Sequence, residues 1–342
     1  MNEPEAKQVK WDICGHENIV HFLQSAILND NLAHAYLFAG PHKLGKQTVA
    51  YKFIASVLCQ AKTNARPCGI CASCLQLKNN VHPDFYLTQP TINPKTEKLS
   101  RGILIDQIKS LKYKLQQSSM LHGYKVALIT NAHLMNLNTA NALLKVLEEP
   151  TQKTIIILLV DDVLDLPQTI ASRCQILKFL PVATNSLKIY LENQGMFNSS
   201  WLARQAHGHP GVALDLAHHK DLAKILKNNI TDFFKIMESD FSDRLELVNK
   251  IVDWDKDEAI NISKLTGLLH NWQLILRDIV LIKTDNEPLI TNIDYLAELK
   301  KQAQVLDFLK LKIILTKMNQ TSDYVWHNIN SKSVLENLII NL

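Results

Sequence analysis

Short apolar runs that alternate with helical patterns constrain the fold of this chain more than any other feature. Each run is a few residues long and is bounded by turn-forming residues, as buried strands are. The segments between the runs carry apolar residues at helical spacing. Strands that alternate with helices form a parallel sheet covered on both faces, so we predict an α/β domain. The predicted strands are 35–39, 84–87, 126–130 and 155–160, and the predicted helices between them include 49–58, 103–115 and 139–147.

The second half of the chain has a different pattern. The strand signal fades after residues 174–181, and helical periodicity follows. Glycine is scarce, with 10 residues where the usual ~7% would give roughly two dozen, which argues against glycine-rich β architectures. We predict three domains: an α/β domain at 1–180, a small helical domain at 181–217 and an all-α domain at 218–342.

The composition excludes several classes of protein. Hydrophobic residues make up 46% of the chain and charged residues 20%, which is far from the composition of disordered chains. The longest purely apolar run, Ile155 to Val160, is much shorter than the ~20 residues that cross a bilayer. Residues 1–5 have neither the basic nor the apolar region of a secretory signal. We therefore expect a folded cytoplasmic protein without a membrane span.

The segment after the first predicted strand has part of the sequence of a phosphate-binding loop (P-loop). In a working loop, backbone N–H groups cradle phosphates, a Lys reaches the β- and γ-phosphates, and the next Ser or Thr binds Mg²⁺. Gly40, Gly45 and Lys46 fit this pattern, but Gln47 occupies the hydroxyl position and Thr48 comes one residue too late. A strand–turn–helix that never binds nucleotide is the alternative for the isolated loop. The sequence leaves ATP binding by this chain open.

The acidic strand that would complete such a site is altered as well. A working ATPase has an Asp here for the Mg²⁺ shell, and many have a Glu that orients the attacking water. The strand at 126–130 is followed instead by Asn131 and Ala132, neither of which carries a carboxylate. Because two independent positions have lost the groups that hydrolysis needs, we predict no intrinsic ATPase activity.

Four of the six cysteines, Cys59, Cys68, Cys71 and Cys74, lie within sixteen residues. In a reducing compartment such a cluster indicates a metal rather than disulfides. The spacing is of the class that closes a tetrahedron of thiolates around Zn²⁺, and four thiolates leave no open coordination position. We therefore predict a structural zinc knuckle. A redox site at Cys68 and Cys71, or buried free thiols, are the alternatives.

Charge is distributed unevenly along the chain. Residues 41–130 contain 13 Lys and Arg and 3 Asp and Glu, a net charge of +10, whereas residues 201–342 sum to −2. A basic segment of this kind can favour nucleic acid through counterion release. A lysine-rich solvated surface explains the same count, so direct DNA contact stays open.

Several further motifs occur along the first 215 residues. They are His34 to Pro41, His82-Pro83-Asp84, Ile105 to Ile108, Asn141 to Pro150, Ser172-Arg173-Cys174 and Gly208 to Leu214. Together with the cysteine cluster, these motifs resemble those of the delta-prime subunits of bacterial DNA polymerase III clamp loaders, which are members of the AAA+ family. The C-terminal third carries no motif that matches.

The resemblance implies a fold, partners and a role. Clamp loaders are rings of AAA+ modules that open the sliding clamp and close it around primed DNA. The implied fold is an α/β P-loop (AAA+) domain with a zinc knuckle, followed by a helical lid and an all-α collar. The implied partners are the tau or gamma motor subunits, the delta subunit, the sliding clamp and, through the complex, primed DNA.

The altered positions separate this chain from the tau and gamma motors, which it also resembles. A motor needs Ser or Thr after Lys46, an Asp-Glu pair at Asn131 and Ala132, a polar sensor near Asp161 and a sensor Arg near Gly211, and this sequence has none in that form. We therefore predict a non-hydrolysing component of the DNA polymerase III holoenzyme. An ATP-hydrolysing motor subunit and a zinc-dependent DNA-binding protein on a degenerate P-loop fold are the alternatives.

Arg173 gains a role from the same resemblance. In this family the arginine of the Ser-Arg-Cys motif reaches across the subunit interface to the γ-phosphate held by the adjacent motor. A guanidinium is permanently charged, and its rigid fork suits phosphate oxygens. The resemblance therefore implies that Arg173 is an arginine finger that acts in trans, and a surface salt bridge is the alternative.

Overall fold

The computed structural model describes residues 11–61, 66–90, 102–252, 254–326, 330–340 and 342. Contacts divide the chain into two compact units, the first formed by residues up to 199 and by 206–212, the second by 200–205 and 213–342. Residues 1–5, from which we inferred that a secretory signal is lacking, lie outside the described residues. Among the helices of the described segments, none combines the length and the apolar character needed to traverse a membrane.

The first unit contains a fully parallel five-stranded sheet, which confirms the predicted α/β architecture. Its strands are β1 (Ala35–Ala39), β2 (Phe85–Thr88), β3 (Lys125–Ile129), β4 (Thr154–Val160) and β5 (Gln175–Lys178). The first four begin and end within one residue of their predicted positions. Their order in the sheet is β2-β3-β4-β1-β5, so β1 is flanked by β4 and β5.

Helices cover both faces of the sheet. Successive residues of a strand point to opposite faces, and the two faces of β1 accordingly enter two separate apolar clusters. Leu37 packs in a cluster with Ile108 and Leu143, while Phe38 packs in another with Phe53, and all of these side chains are fully buried. The helices of this region are α1 (Glu17–Leu28), α2 (Lys46–Leu58), α3 (Ala72–Lys78), α4 (Ile105–Gln116), α5 (Leu137–Glu148), α6 (Gln168–Ala171) and α7 (Thr184–Asn193).

The described residues after β5 form helices and the connections between them, as predicted for the C-terminal region. The buried Trp272 lies in the apolar core of the second unit, and its indole Nε1 donates a hydrogen bond to Asn229 O at 3.0 Å. The division into three domains stays a prediction, since α8 and α9 each contain residues of both units. These helices are α8 (Ser199–Gln205), α9 (Pro210–His218), α10 (Lys220–Glu238), α11 (Phe241–Ile251), α12 (Glu258–Lys283), α13 (Leu296–Val305), α14 (Phe308–Trp326) and α15 (Ser331–Ile340).

Candidate functional site

The segment between β1 and α2 is a tight loop that ends at the N-terminus of the helix. Gly40 and Gly45 have φ values of 152° and 94°, in the region that favours glycine, and Gly45 is the N-cap of α2. A Cβ atom on Gly40 would lie 2.4 Å from the backbone oxygen of Phe179, so only glycine fits at this position. The two glycines that the loop pattern singled out are therefore required by the backbone itself.

The loop is braced by residues from two other segments. The ring of His16 donates from Nε2 to Leu44 O at 2.8 Å, and burial lowers the pKa of this histidine. The backbone N–H of Gly211 donates to Lys43 O at 2.9 Å. A Cβ atom on Gly211 would lie 3.0 Å from the Lys43 Cβ, so the segment that begins α9 approaches the loop closely.

Lys46, the third predicted nucleotide-binding residue, is paired within the protein. Its side chain is 9% exposed, and Nζ donates to Gly40 O, to Pro41 O at 3.1 Å and to Asp161 Oδ1 at 3.0 Å. The other oxygen of Asp161 lies 2.8 Å from Nε2 of His42. The sequence marked Asp161 only as lying near the place of a sensor residue and did not reveal this pairing. The signal that could have revealed it is an acidic residue directly after β4, the strand that lies beside β1.

The positions that would serve magnesium and water carry no catalytic group. The side chain of Gln47, at the hydroxyl position, is exposed. Asn131 follows β3 with a φ of 52°, and the fully buried Ala132 opens a short 3₁₀ helix. The structure therefore brings the altered residues to the sheet edge where a hydrolytic site would lie, at the carboxyl ends of β1 and β3.

Arg173 lies apart from this loop, on the turn between α6 and β5. Its side chain is 37% exposed, and it donates to Thr169 O and to Glu148 Oε1, both at 2.8 Å. Ser172 is the C-cap of α6 and donates from its hydroxyl to Thr169 O at 3.2 Å. Glu148 is the last residue of α5, and its ion pair with the arginine is a contact that the sequence did not reveal.

The four clustered cysteines meet at one point, as their spacing predicts. Cys59 is the C-cap of α2 and Cys71 is the N-cap of α3, and the four sulfur atoms all lie within 4.8 Å of one another. The cluster is therefore compact enough to bind a metal ion. Backbone N–H groups point at its sulfurs: Cys68 N donates to Cys59 Sγ at 3.4 Å, and Cys71 N donates to Cys68 Sγ at 3.4 Å.

The electrostatics of the cluster favour a thiolate at its exposed side. Hydrogen bonds from the backbone of Ile70 and Cys71 lower the pKa of Cys68 to about 6. Burial has the opposite effect on the inner side, where it raises the pKa of Cys74 to about 12. A bound cation would offset that cost, because metal coordination deprotonates thiols outright. The donor set of four sulfurs suits a soft or borderline metal.

Sequence comparisons connect the chain with subunits of one enzyme complex. A family model described as "DNA polymerase III, delta subunit" matches residues 15–183. DNA polymerase III subunit delta' of Pseudomonas aeruginosa is 38% identical over 184 residues, which are 54% of this chain and 51% of the relative. Subunit delta' of Bacillus subtilis is 26% identical over 326 residues, 95% of each protein. Subunit tau of Bacillus subtilis is 29% identical over 301 residues, 80% of this chain and 50% of the relative.

The alignments differ in how much of each relative they cover. The chain spans about half the length of the Pseudomonas delta' and of the tau relative, but nearly all of the Bacillus delta'. A crystal structure of a DNA polymerase III gamma subunit-related protein from Thermotoga maritima matches with a TM-score of 0.50. That match covers 94% of this chain and 97% of the other at 17% identity, and it supports the fold alone.

Proposed function

We propose, on the premise that this chain belongs to the family of DNA polymerase III delta-prime subunits, that it is a clamp-loader subunit that does not hydrolyse ATP. The observation that carries this proposal is the delta' match along 95% of both chains. The proposed partners are the tau or gamma motor subunits, the delta subunit, the sliding clamp and primed DNA, in the cytoplasm. We assign the α/β region to an AAA+ domain at 1–180, followed by a lid at 181–217 and a collar at 218–342.

We expect no hydrolysis because the positions that would bind Mg²⁺ and activate water carry unsuitable side chains. Gln47 offers an amide where Mg²⁺ needs a hydroxyl, and Asn131 and Ala132 offer no carboxylate to the metal or to water. The ammonium of Lys46 already binds Asp161 and two backbone carbonyls. A P-loop with these substitutions would keep its backbone conformation and would not support ATP hydrolysis.

We expect the purified chain to show no ATP turnover in the presence of Mg²⁺. Phosphate release should equal that of a buffer blank, and Lys46→Ala should not change it, because the metal and water positions are already lost. A colorimetric or radiometric phosphate assay measures both proteins side by side. Hydrolysis that depends on Lys46 would overturn the proposal and favour a motor subunit, the alternative to which the tau relative points.

The zinc assignment rests on the cysteine cluster. Four sulfurs within 4.8 Å of one another approach the roughly 3.8 Å spacing that a tetrahedral site with Zn–S bonds of about 2.3 Å requires. Cys59, Cys68, Cys71 and Cys74 would hold the ion, and with four thiolates no position is left for substrate. The zinc would join the end of α2 to the start of α3 and have a structural role only.

Primed DNA is proposed as a partner through the complex, and one surface of the first unit supports it. A groove of about 470 Å³ between α4 and α5 has three lysines, two asparagines and three apolar residues in its lining, which are Lys109, Lys112, Lys145, Asn138, Asn141, Ile105, Ile108 and Ala142. Such a groove would bind phosphates without reading sequence. Tight, steeply salt-dependent DNA binding by the chain alone would instead favour an independent DNA-binding protein.

We assign the trans arginine finger to Arg173. The side chain is more than one-third exposed and lies on the turn after α6, so its guanidinium can exchange the contact with Glu148 for one with a phosphate. An exposed ion pair of this kind is worth only ~0–1 kcal/mol, which makes the exchange inexpensive. The planar fork of the arginine would then stabilise charge that develops on the phosphoryl group of a neighbouring motor.

A further inference from the structure

The ammonium group of Lys46 has no donor left for a phosphate. A lysine offers three hydrogens, and in this loop they meet three acceptors, which are Gly40 O, Pro41 O and Asp161 Oδ1. In a working P-loop the same ammonium reaches the β- and γ-phosphates. A nucleotide that entered this loop would therefore have to displace the carboxylate of Asp161 from the lysine.

The position of Asp161 is set by the sheet. Asp161 follows β4 directly, and β4 pairs with β1 so that Val160 lies opposite Ala39 at the end of both strands. Gly40 N also donates to Val160 O at 3.3 Å, which joins the start of the loop to the end of β4. The carboxylate is thus held beside the loop by backbone pairing and needs no contact from another subunit to stay there.

Asp161 contacts the loop as an anionic ligand would. One carboxylate oxygen binds Lys46 at 3.0 Å and the other lies 2.8 Å from Nε2 of His42, so the group bridges two loop residues. We infer that Asp161 is an internal counter-ion that occupies the phosphate-binding position of the loop and thereby excludes nucleotide from the wild-type chain. This inference goes beyond the proposed function, because it concerns why the loop does not bind nucleotide and not which subunits the chain binds.

The remainder of the loop retains the features of an anion site. Gly45 opens α2, a helix of 13 residues whose N-terminus has no side-chain cap and no acidic residue in its first turn. Unpaired N–H groups at such a helix end attract negative charge. Removal of the Asp161 carboxylate should therefore uncover a latent site for the phosphates of a nucleotide.

The test is binding of ADP to the full-length chain, measured by calorimetry without Mg²⁺. We expect Asp161→Asn to bind ADP tighter than the wild type by about tenfold or more, because it removes one negative charge from beside the bound anion. The double variant Asp161→Asn with Lys46→Met should lose the gain. Asp161→Ala serves as a second variant, and a thermal unfolding transition identifies which variants are folded.

Asp162→Asn is the matched control. Asp162 is the adjacent acid, but its side chain accepts a hydrogen bond from Leu164 N and caps the 3₁₀ helix at 163–165. This variant changes the net charge of the chain by the same amount and should leave ADP binding at the wild-type level. The inference is overturned if folded Asp161→Asn and Asp161→Ala bind no tighter than the wild type, or if Asp162→Asn gains as much.

Discussion

Replacing Arg173 with Ala in a reconstituted clamp loader should lower its DNA- and clamp-stimulated ATPase rate by about tenfold or more. Fingers supplied in trans contribute about 10³–10⁵ in rate in well-studied switches. We expect less here, because the same arginine would also sense ATP during assembly of the ring. The measurement is steady-state phosphate release by the complete complex, with this chain supplied as wild type or variant.

The variant Glu148→Gln distinguishes a role of Arg173 as an arginine finger from a role in a structural ion pair. The wild-type arginine donates to Glu148 at 2.8 Å, and the glutamine variant removes that charge pair while Arg173 remains. If Arg173 acts on the phosphate of a neighbour, Glu148→Gln should stay within about twofold of wild type, as expected for an exposed pair. Unchanged turnover in Arg173→Ala, or an equal loss in Glu148→Gln, would remove the finger assignment.

Replacing Cys71 with Ser should abolish stoichiometric metal binding. A serine hydroxyl is a poor substitute for a thiolate, and Cys71 is both a proposed ligand and the N-cap of α3, where its sulfur accepts from Cys74 N. Structural zinc contributes about 10–16 kcal/mol of apparent binding free energy in zinc-finger peptides, so its loss should also lower the unfolding temperature. Elemental analysis of protein purified without chelator should find about one zinc per wild-type chain.

Cys14→Ser is the control for this experiment. Cys14 is a buried free thiol that is not one of the four clustered cysteines, so it tests the effect of removing a cysteine that is not a proposed ligand. This variant should retain the full metal content even if it unfolds at a lower temperature. Full zinc occupancy in Cys71→Ser would refute the model of four thiolate ligands.

Local patterns predicted much of this protein because their physical causes are local. Each strand of the sheet is a run of a few residues with its own apolar pattern, so the apolar run at 35–39 predicts β1 without knowledge of the rest of the chain. The cysteines are close in sequence, and a helix end and a helix start bring them together. The altered loop position Gln47 likewise needs no structure to be recognised.

Contacts between distant segments could not be predicted in the same way. Lys46 and Asp161 are 115 residues apart, and their pairing depends on the order of strands in the sheet, which no periodicity reveals. Glu148 and Arg173 meet because α5 packs against α6. This packing cannot be predicted from the sequence of either helix alone. The apolar periodicity of the C-terminal region predicts helices. It does not predict which other subunit these helices would contact.

Native mass spectrometry of this chain mixed with the tau or gamma and delta subunits of its own replication system tests the central claim most directly. We expect one assembly that contains all three kinds of subunit, and we expect no assembly of the same mass when this chain is left out. Assembly of the motor and delta subunits to the same mass with or without this chain, while it remains a free monomer, would contradict the assignment as a clamp-loader subunit.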